Sequence, residues 1–152
     1  MGQPYRDMIR TRRQILGLTQ RELARRCGLK QPLIAAIESG RRQPSQAAKQ
    51  ALDEALELRP STALEARRGE VDEVFTRAGL PQPKVFGSVA RGDDVPSSDL
   101  DLMVEFSQEH DIVDLLALEA QLSELLTVNV DIVDARGTGN VLDRARVEAQ
   151  PL

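Results

Sequence analysis

Along the first third of the chain, apolar residues fall at helical spacing and are interrupted at short intervals by glycine. Met8, Ile9, Ile15 and Leu16 predict a helix over 5–16, with Ile9 and Leu16 seven apart on one face and Gly17 ending it. Thr19 with Glu22 three residues on predicts a capping box at the start of a second helix. Leu23, Ala24 and Cys27 give that helix its apolar side, and Gly28 stops it. A third helix is predicted from near Lys30, with Pro32 in the first turn, where a missing N–H costs little. Leu33, Ile34 and Ile37 form its buried stripe, and Ser39-Gly40 closes it. A fourth follows Pro44-Ser45, with Ala48, Ala51, Leu52, Ala55 and Leu56 on one side.

The pattern changes at Arg59-Pro60-Ser61-Thr62, where proline breaks a helix and Ser or Thr can cap the next. One helix is predicted over 62–78 (Leu64, Val71, Val74, Phe75), then a short strand, Lys84-Val85-Phe86. After a loop rich in Gly, Asp and Ser, DLDLMVEF alternates as a strand. Ile112, Leu115, Leu118, Leu122 and Leu125 predict an amphipathic helix over 111–126. VNVDIVDA reads as a third strand and a last helix spans 138–149. The expected architecture is therefore two domains, an all-α bundle at 1–59 and an α/β (α+β) domain with a small mixed sheet at 60–152.

Charge sharpens that division. Residues 1–59 carry 12 basic and 6 acidic side chains, a net of +6, while 60–152 carry 8 and 18, a net of -10. A basic front half suits a polyanion such as DNA, and an acidic back half suits one only through cations held by its carboxylates. The 152 residues include one cysteine, Cys27, which excludes an internal disulfide and fits a reducing compartment. No apolar run approaches a membrane span, and MGQPYRDMIRTRR lacks the apolar stretch of a signal peptide, so the expected location is the cytoplasm without membrane association. Three Phe, one Tyr and no Trp weigh against recognition by base stacking.

The two short helices joined across CGLK have helix-turn-helix spacing. LTQRELARRCGLKQPLIAAIESGRRQP resembles the Xre/Cro-type repressors in Thr19-Gln20, Glu22-Leu23-Ala24, Gly28, Ile34, Ile37-Glu38, Ser39-Gly40 and Pro44. The resemblance implies a domain that places its second motif helix in the DNA major groove as a homodimer. It implies that Gln20 holds a phosphate, that Gln31 pairs with adenine through its amide, and that Arg41 and Arg42 meet the backbone. Pro32 and Ala36 stand where such domains often place base-reading side chains and offer no polar readout. A protein-docking or dimerising bundle is the alternative for this half.

In the back half the informative segment is GSVARGDDVPSSDLDLMVEF, residues 87–106. Gly87-Ser88 follows a strand and opens a helix, so backbone N–H groups and a hydroxyl can face an anion, with no Cβ at Gly87 to block its approach. Asp99 and Asp101, two apart on a strand, project to one side while Leu100 and Leu102 go to the core. Paired carboxylates repel unless a cation lies between them, and hard oxygen donors suit Mg²⁺. Asp131, between inward Val130 and Ile132, joins the same side. A phosphate cradle beside three carboxylates has the composition of a metal-dependent nucleotidyl-transfer site.

The pattern GSxARG, five residues, then SDxDL resembles the minimal nucleotidyltransferases (MNT group) of the polymerase-beta superfamily, with every fixed position filled: Gly87, Ser88, Ala90, Arg91, Gly92, Ser98, Asp99, Asp101 and Leu102. That resemblance implies ATP as substrate, two Mg²⁺ ions on Asp99 and Asp101, and Asp131 ligating one ion and activating the acceptor hydroxyl. It assigns Gly87 and Ser88 to the β/γ phosphates, with Arg91 and Ser98 also at the nucleotide. In the MNT group the acceptor is typically a tyrosine of a HEPN-type toxin encoded next door, which is silenced by AMP. The leading expectation is an AMP-transferring antitoxin whose Xre-like half binds operator DNA and autoregulates. Two alternatives remain at this stage, a regulator whose transferase half senses nucleotide or docks a partner without turnover, and a transferase acting on a small molecule or RNA.

Several residues are expected to stay outside the chemistry. His110 reads as a solvated loop residue, Cys27 as core, and Asp93 and Asp94 as solvent-facing. The Arg12-Arg13 and Arg25-Arg26 pairs read as helix surface unless DNA lies against them. Tyr5 is not expected to be a self-target, since it lies in the other module.

Overall fold

The computed structural model describes residues 4–152 and divides into two compact units, one ending at Leu58 and one running from Arg59 to Leu152. The first unit is four helices: α1 (Tyr5–Ile15), α2 (Gln20–Cys27), α3 (Gln31–Glu38) and α4 (Gln46–Ala55). Their stripes meet in a core of Ile9, Leu23, Ala24, Ile34, Ile37, Leu52 and Leu56. Each fully buried side chain of leucine size is worth about 1.5–3 kcal/mol of transfer free energy. The capping box forms as predicted, with Thr19 Oγ1 accepting from the Glu22 N–H and Glu22 accepting from the Thr19 N–H. Gly28 ends α2 at φ +68°, which a side chain would make costly. Tyr5 donates its hydroxyl to Asp53 at 2.7 Å, with Lys49 over its ring.

A charge sits inside this bundle. Glu38 is buried, and its carboxylate accepts from Arg13 Nε at 2.6 Å, from Arg13 Nη2 at 3.1 Å and from Gln20 Nε2 at 2.9 Å. Arg13 is therefore not the helix-surface residue expected: its side chain is only 13% exposed, and Nη1 also donates to the Leu18 carbonyl. Burying a carboxylate is costly unless such partners replace the water it loses.

The second unit starts with α5 (Pro60–Ala66) and α6 (Arg68–Arg77), two helices where one was predicted. The break is at Arg67, φ −118°, just before Gly69, whose low helix propensity makes it a weak place to continue. The expected Ser/Thr cap is also absent: no side chain within α5 caps it, and the Ser61 N–H is taken by the carboxylate of Asp94 at 2.9 Å. Asp94 was expected in solvent and is buried, because it satisfies this N–H and pairs with Arg59 Nη2 at 2.8 Å.

Beyond α6 come β1 (Lys84–Phe86), α7 (Gly87–Arg91), β2 (Leu100–Val104), α8 (Ile112–Leu126), β3 (Val130–Asp134), α9 (Asn140–Glu148) and β4 (Gln150–Pro151). The sheet order is β3-β2-β1-β4, with β1 antiparallel to β2 and to β4 and β2 parallel to β3. The mixed sheet matches the expectation, whereas β4 was not anticipated: two residues, one of them proline, carry no alternating signal. Helix α8, capped by Asp111, makes the parallel crossover and buries Leu118, Leu122 and Leu126. Leu118 and Leu122 lie on the predicted face, with Leu126 added to it, whereas Ile112, in the first turn, is 66% exposed beside Val113 and Leu116. On the outer side of β3, the Val130 N–H donates to Ser123 Oγ and the Ile132 N–H to Glu119 Oε1, both on α8.

His110 is half-buried rather than solvated. Nε2 lies 3.0 Å from the Ala78 carbonyl, Nδ1 lies 2.7 Å from Ser107 Oγ, and the ring packs edge-on to Phe106. It ties the loop before α8 to the end of α6. No helix among the described residues is long and apolar enough to cross a membrane.

Candidate active site

Strand register assembles the site. Phe86 of β1 stands opposite Asp101 of β2, and Asp101 stands opposite Asp131 of β3. Leu100 and Leu102 are fully buried beneath, which turns Asp101 toward the other face. Asp99 immediately precedes β2 and is exposed, as is Asp131, while Asp101 is half-buried. Burial pushes the Asp101 carboxyl up to about 6; the charges of Asp131 and Asp99 act in the same direction, and Arg91 opposes them. Register thus puts Asp101 beside Asp131, and Asp99 joins them as a charge acting on Asp101 from the residue before β2. Among the described residues, no three acidic, His or Cys side chains stand close enough together to hold a metal ion as they are.

Gly87 follows β1 at φ +70°, and a Cβ built on it would run into the carboxylate of Asp101. The predicted need for glycine here holds, but its immediate cause is this carboxylate and the left-handed backbone. The Gly87–Arg91 turn ends at Gly92, φ +77°, after which the Asp93 N–H returns to the Ser88 carbonyl at 3.1 Å. Ser88 is half-buried in that turn. Ser98 closes a second turn: its Oγ accepts from the Val95 N–H at 2.9 Å, and its own N–H donates to the Val95 carbonyl. The chain thus reaches Asp99 from a pinned loop, held at one end by Ser98 and in the middle by Asp94. Asp93 is exposed as expected, and Arg91 pairs with it at 3.4 Å and with Glu148 at 3.2 Å. Sequence reasoning missed Asp94 and Glu148, since nothing local marks a contact made 33 or 57 residues away.

In the first unit, Gln20 and Gln31 are linked directly. Gln31 Nε2 donates to Gln20 Oε1 at 2.9 Å, and Gln20 in turn donates to buried Glu38. Arg41 and Arg42 are exposed after α3, with Arg41 Nε donating to Ser39 Oγ. Gln31 also lines an open depression with Arg21, Ala24, Arg25 and Leu29, so exposed Arg21 and Arg25 add positive charge beside it.

Two family models match different parts of the chain. A helix-turn-helix family model matches residues 9–62, and a polymerase beta nucleotidyltransferase model matches residues 83–149. A Methanocaldococcus jannaschii protein described as a "putative protein adenylyltransferase" is 33% identical over 60 residues, 40% of this chain and 64% of that one. The chain spans between 50% and 65% of the lengths of the curated relatives it matches. A crystal structure of a toxin–antitoxin with AMP-PNP shares the fold at TM-score 0.50 and 23% identity, over 55% of this chain and 69% of that one. A solved "putative minimal nucleotidyltransferase" is 41% identical with TM-score 0.54, covering 60% of this chain and 95% of its own. With the aspartates and the glycine turn in the arrangement described, the chain belongs to the minimal nucleotidyltransferases of the polymerase-beta superfamily and carries an Xre-type helix-turn-helix domain in front.

Proposed function

We propose that the protein is an antitoxin-type nucleotidyltransferase that moves AMP from ATP to a tyrosine hydroxyl of a cognate HEPN-type toxin, and that its front domain binds operator DNA as a homodimer and represses the shared operon. The observation that carries the reading is the register of Asp101 against Asp131, with the Gly87 turn laid on Asp101. Burial raises the Asp101 carboxyl first and the charges of Asp131 and Asp99 add to it, an environment that a divalent cation relieves, and hard carboxylate oxygens suit Mg²⁺ once the side chains close on it. Asp99 and Asp101 would hold two ions, with Asp131 on one of them. Bound ions supply neutralisation of the triphosphate and of the attacking and departing oxygens.

The chain's own groups then divide the work. Gly87 and Ser88 take the β and γ phosphates, Arg91 meets phosphate charge, and Ser98 sets the loop that borders the nucleotide. Asp131 accepts the tyrosine proton as the phenolic oxygen bonds to the α-phosphorus. The bond from that phosphorus to the bridging oxygen breaks, and pyrophosphate leaves. Relatives named as protein adenylyltransferases support a protein acceptor. On the DNA side, Gln31 reads a base, Gln20 holds a phosphate, and Arg41 and Arg42 meet the backbone. A cytoplasmic location follows from these partners.

The test is incubation with α-labelled ATP and Mg²⁺, with and without the product of the adjacent gene. Label on a tyrosine of that partner is the expected result. ATP binding with no label on any protein would overturn AMP transfer and leave a nucleotide-sensing repressor.

A further inference from the structure

Between Arg91 and Arg136 the chain carries no lysine or arginine, while Asp99, Asp101 and Asp131 all fall within that stretch. Positive charge near the aspartates therefore comes from outside it, and Arg91 ends α7, the turn that packs on β2 and whose first residue, Gly87, lies against the Asp101 carboxylate. Where the guanidinium stands is set by two carboxylates. Asp93 is two residues away and moves with the same turn. Glu148 does not: it ends α9, and its Oε2 accepts from Arg91 Nη1 at 3.2 Å.

Glu148 is itself fixed from both sides. Helix α9 packs on α7 and on β1. Two residues beyond Glu148, Gln150 pairs with Val85 of β1, the strand that runs directly into Gly87. Strand, glycine turn and the end of α9 thus form one frame, and Glu148 is the point where that frame grips Arg91.

We propose that Glu148 is a positioning residue for nucleotide binding: by holding Arg91 from α9, it sets the guanidinium beside the aspartate cluster at the place where a triphosphate is met. This rests on the nucleotidyl-transfer reading above. An ion pair with side chains 48% and 37% exposed contributes little to folding, so its loss is expected to be read in nucleotide affinity.

Glu148→Ala, Arg91→Ala and the double variant are made in the full chain, and affinity for a fluorescent ATP analogue is titrated with Mg²⁺ alongside thermal unfolding. Glu148→Ala is expected to weaken binding about three- to fivefold, the size an exposed charge pair can transmit, without lowering the unfolding midpoint. In the Arg91→Ala background the same change is expected to have no further effect. Unchanged or tighter binding by Glu148→Ala would overturn the proposal, since Glu148 would then be idle or competing with phosphate for Arg91. A loss that persists without Arg91 would overturn it equally. If the unaltered chain binds no nucleotide, the transferase reading falls and this proposal falls with it; wild-type binding with an indifferent Glu148 removes the proposal alone.

Discussion

The carboxylate of Asp94 accepts the backbone N–H of Ser61 at 2.9 Å, capping from 33 residues away a helix that has no cap of its own. The same carboxylate receives Arg59 at 2.8 Å, so the loop between the glycine turn and the aspartates is anchored to the first residues of the second unit. Burial pushes the Asp94 carboxyl up, but the hydrogen bonds from Ser61 and the charge of Arg59 outweigh it and leave it below its ordinary value.

A depressed carboxyl contributes stability above its unfolded pKa and loses it as pH falls through the folded value. Asp94→Ala is therefore expected to cost about 2 kcal/mol at neutral pH, the worth of hydrogen bonds to a charged group. The deficit against wild type is expected to shrink in acid, below the ordinary aspartate range. Urea melts of both proteins between pH 7 and pH 3 check this; a deficit independent of pH would sink the account.

Asp101 has the opposite sign. Raised to about 6, it favours the protonated form in the folded chain, so its ionisation costs stability as pH rises through that value. With chelator present at pH 8, Asp101→Asn is expected to melt above wild type, and the two midpoints are expected to converge in acid, below the ordinary aspartate range. In the labelling assay with Mg²⁺, the same variant is expected to lose activity by on the order of a hundredfold or more. A variant both less stable in chelator and fully active would contradict the site.

Gly87→Ala combines two penalties, a left-handed backbone worth about 1–2 kcal/mol to an L-residue and a collision with the Asp101 carboxylate. Lower stability together with weakened nucleotide binding is the expected result, measured by thermal melts and by titration with an ATP analogue. Normal binding would mean that the turn moves freely against Asp101.

Glu38→Ala strands Arg13 and Gln20 inside the first unit and is expected to cost about 3–5 kcal/mol, as breaking a buried pair does. Gln31→Ala removes only the donor to Gln20 Oε1 and leaves Glu38 with Arg13 and Gln20. It is expected to keep the fold while losing about 1–3 kcal/mol of affinity for DNA from upstream of the gene, the worth of a bidentate amide–adenine pair. Chemical melts and fluorescence anisotropy separate the two; equal DNA binding by Gln31→Ala would remove that residue from the interface.

Much of this arrangement was legible from short-range signals. The Thr19–Glu22 cap, the strand at Lys84–Phe86 and the alternation that turns Asp101 away from Leu100 and Leu102 all depend on neighbours within a few residues. What escaped depends on distant partners. Asp94, Arg13 and His110 look like solvent residues because their type is usually exposed, and they are drawn inward by acceptors or donors 25 to 35 residues away. The break at Arg67 and the exposure of Ile112 at the start of α8 reflect tertiary contacts that periodicity alone does not weigh. The two-residue strand β4 has no pattern to detect, yet it is part of the frame that places Glu148.

The bonds from Val130 to Ser123 and from Ile132 to Glu119 have a consequence for association. They spend the outward N–H groups of an edge strand on the molecule's own crossover helix. The opposite edge is only β4, two residues ending in a proline that has no N–H to give. Both edges are thereby poorer templates for strand addition, which guards the sheet against edge-to-edge aggregation. With fewer backbone groups on offer, these edges present mainly side chains and shape, which can be altered residue by residue without disturbing the sheet.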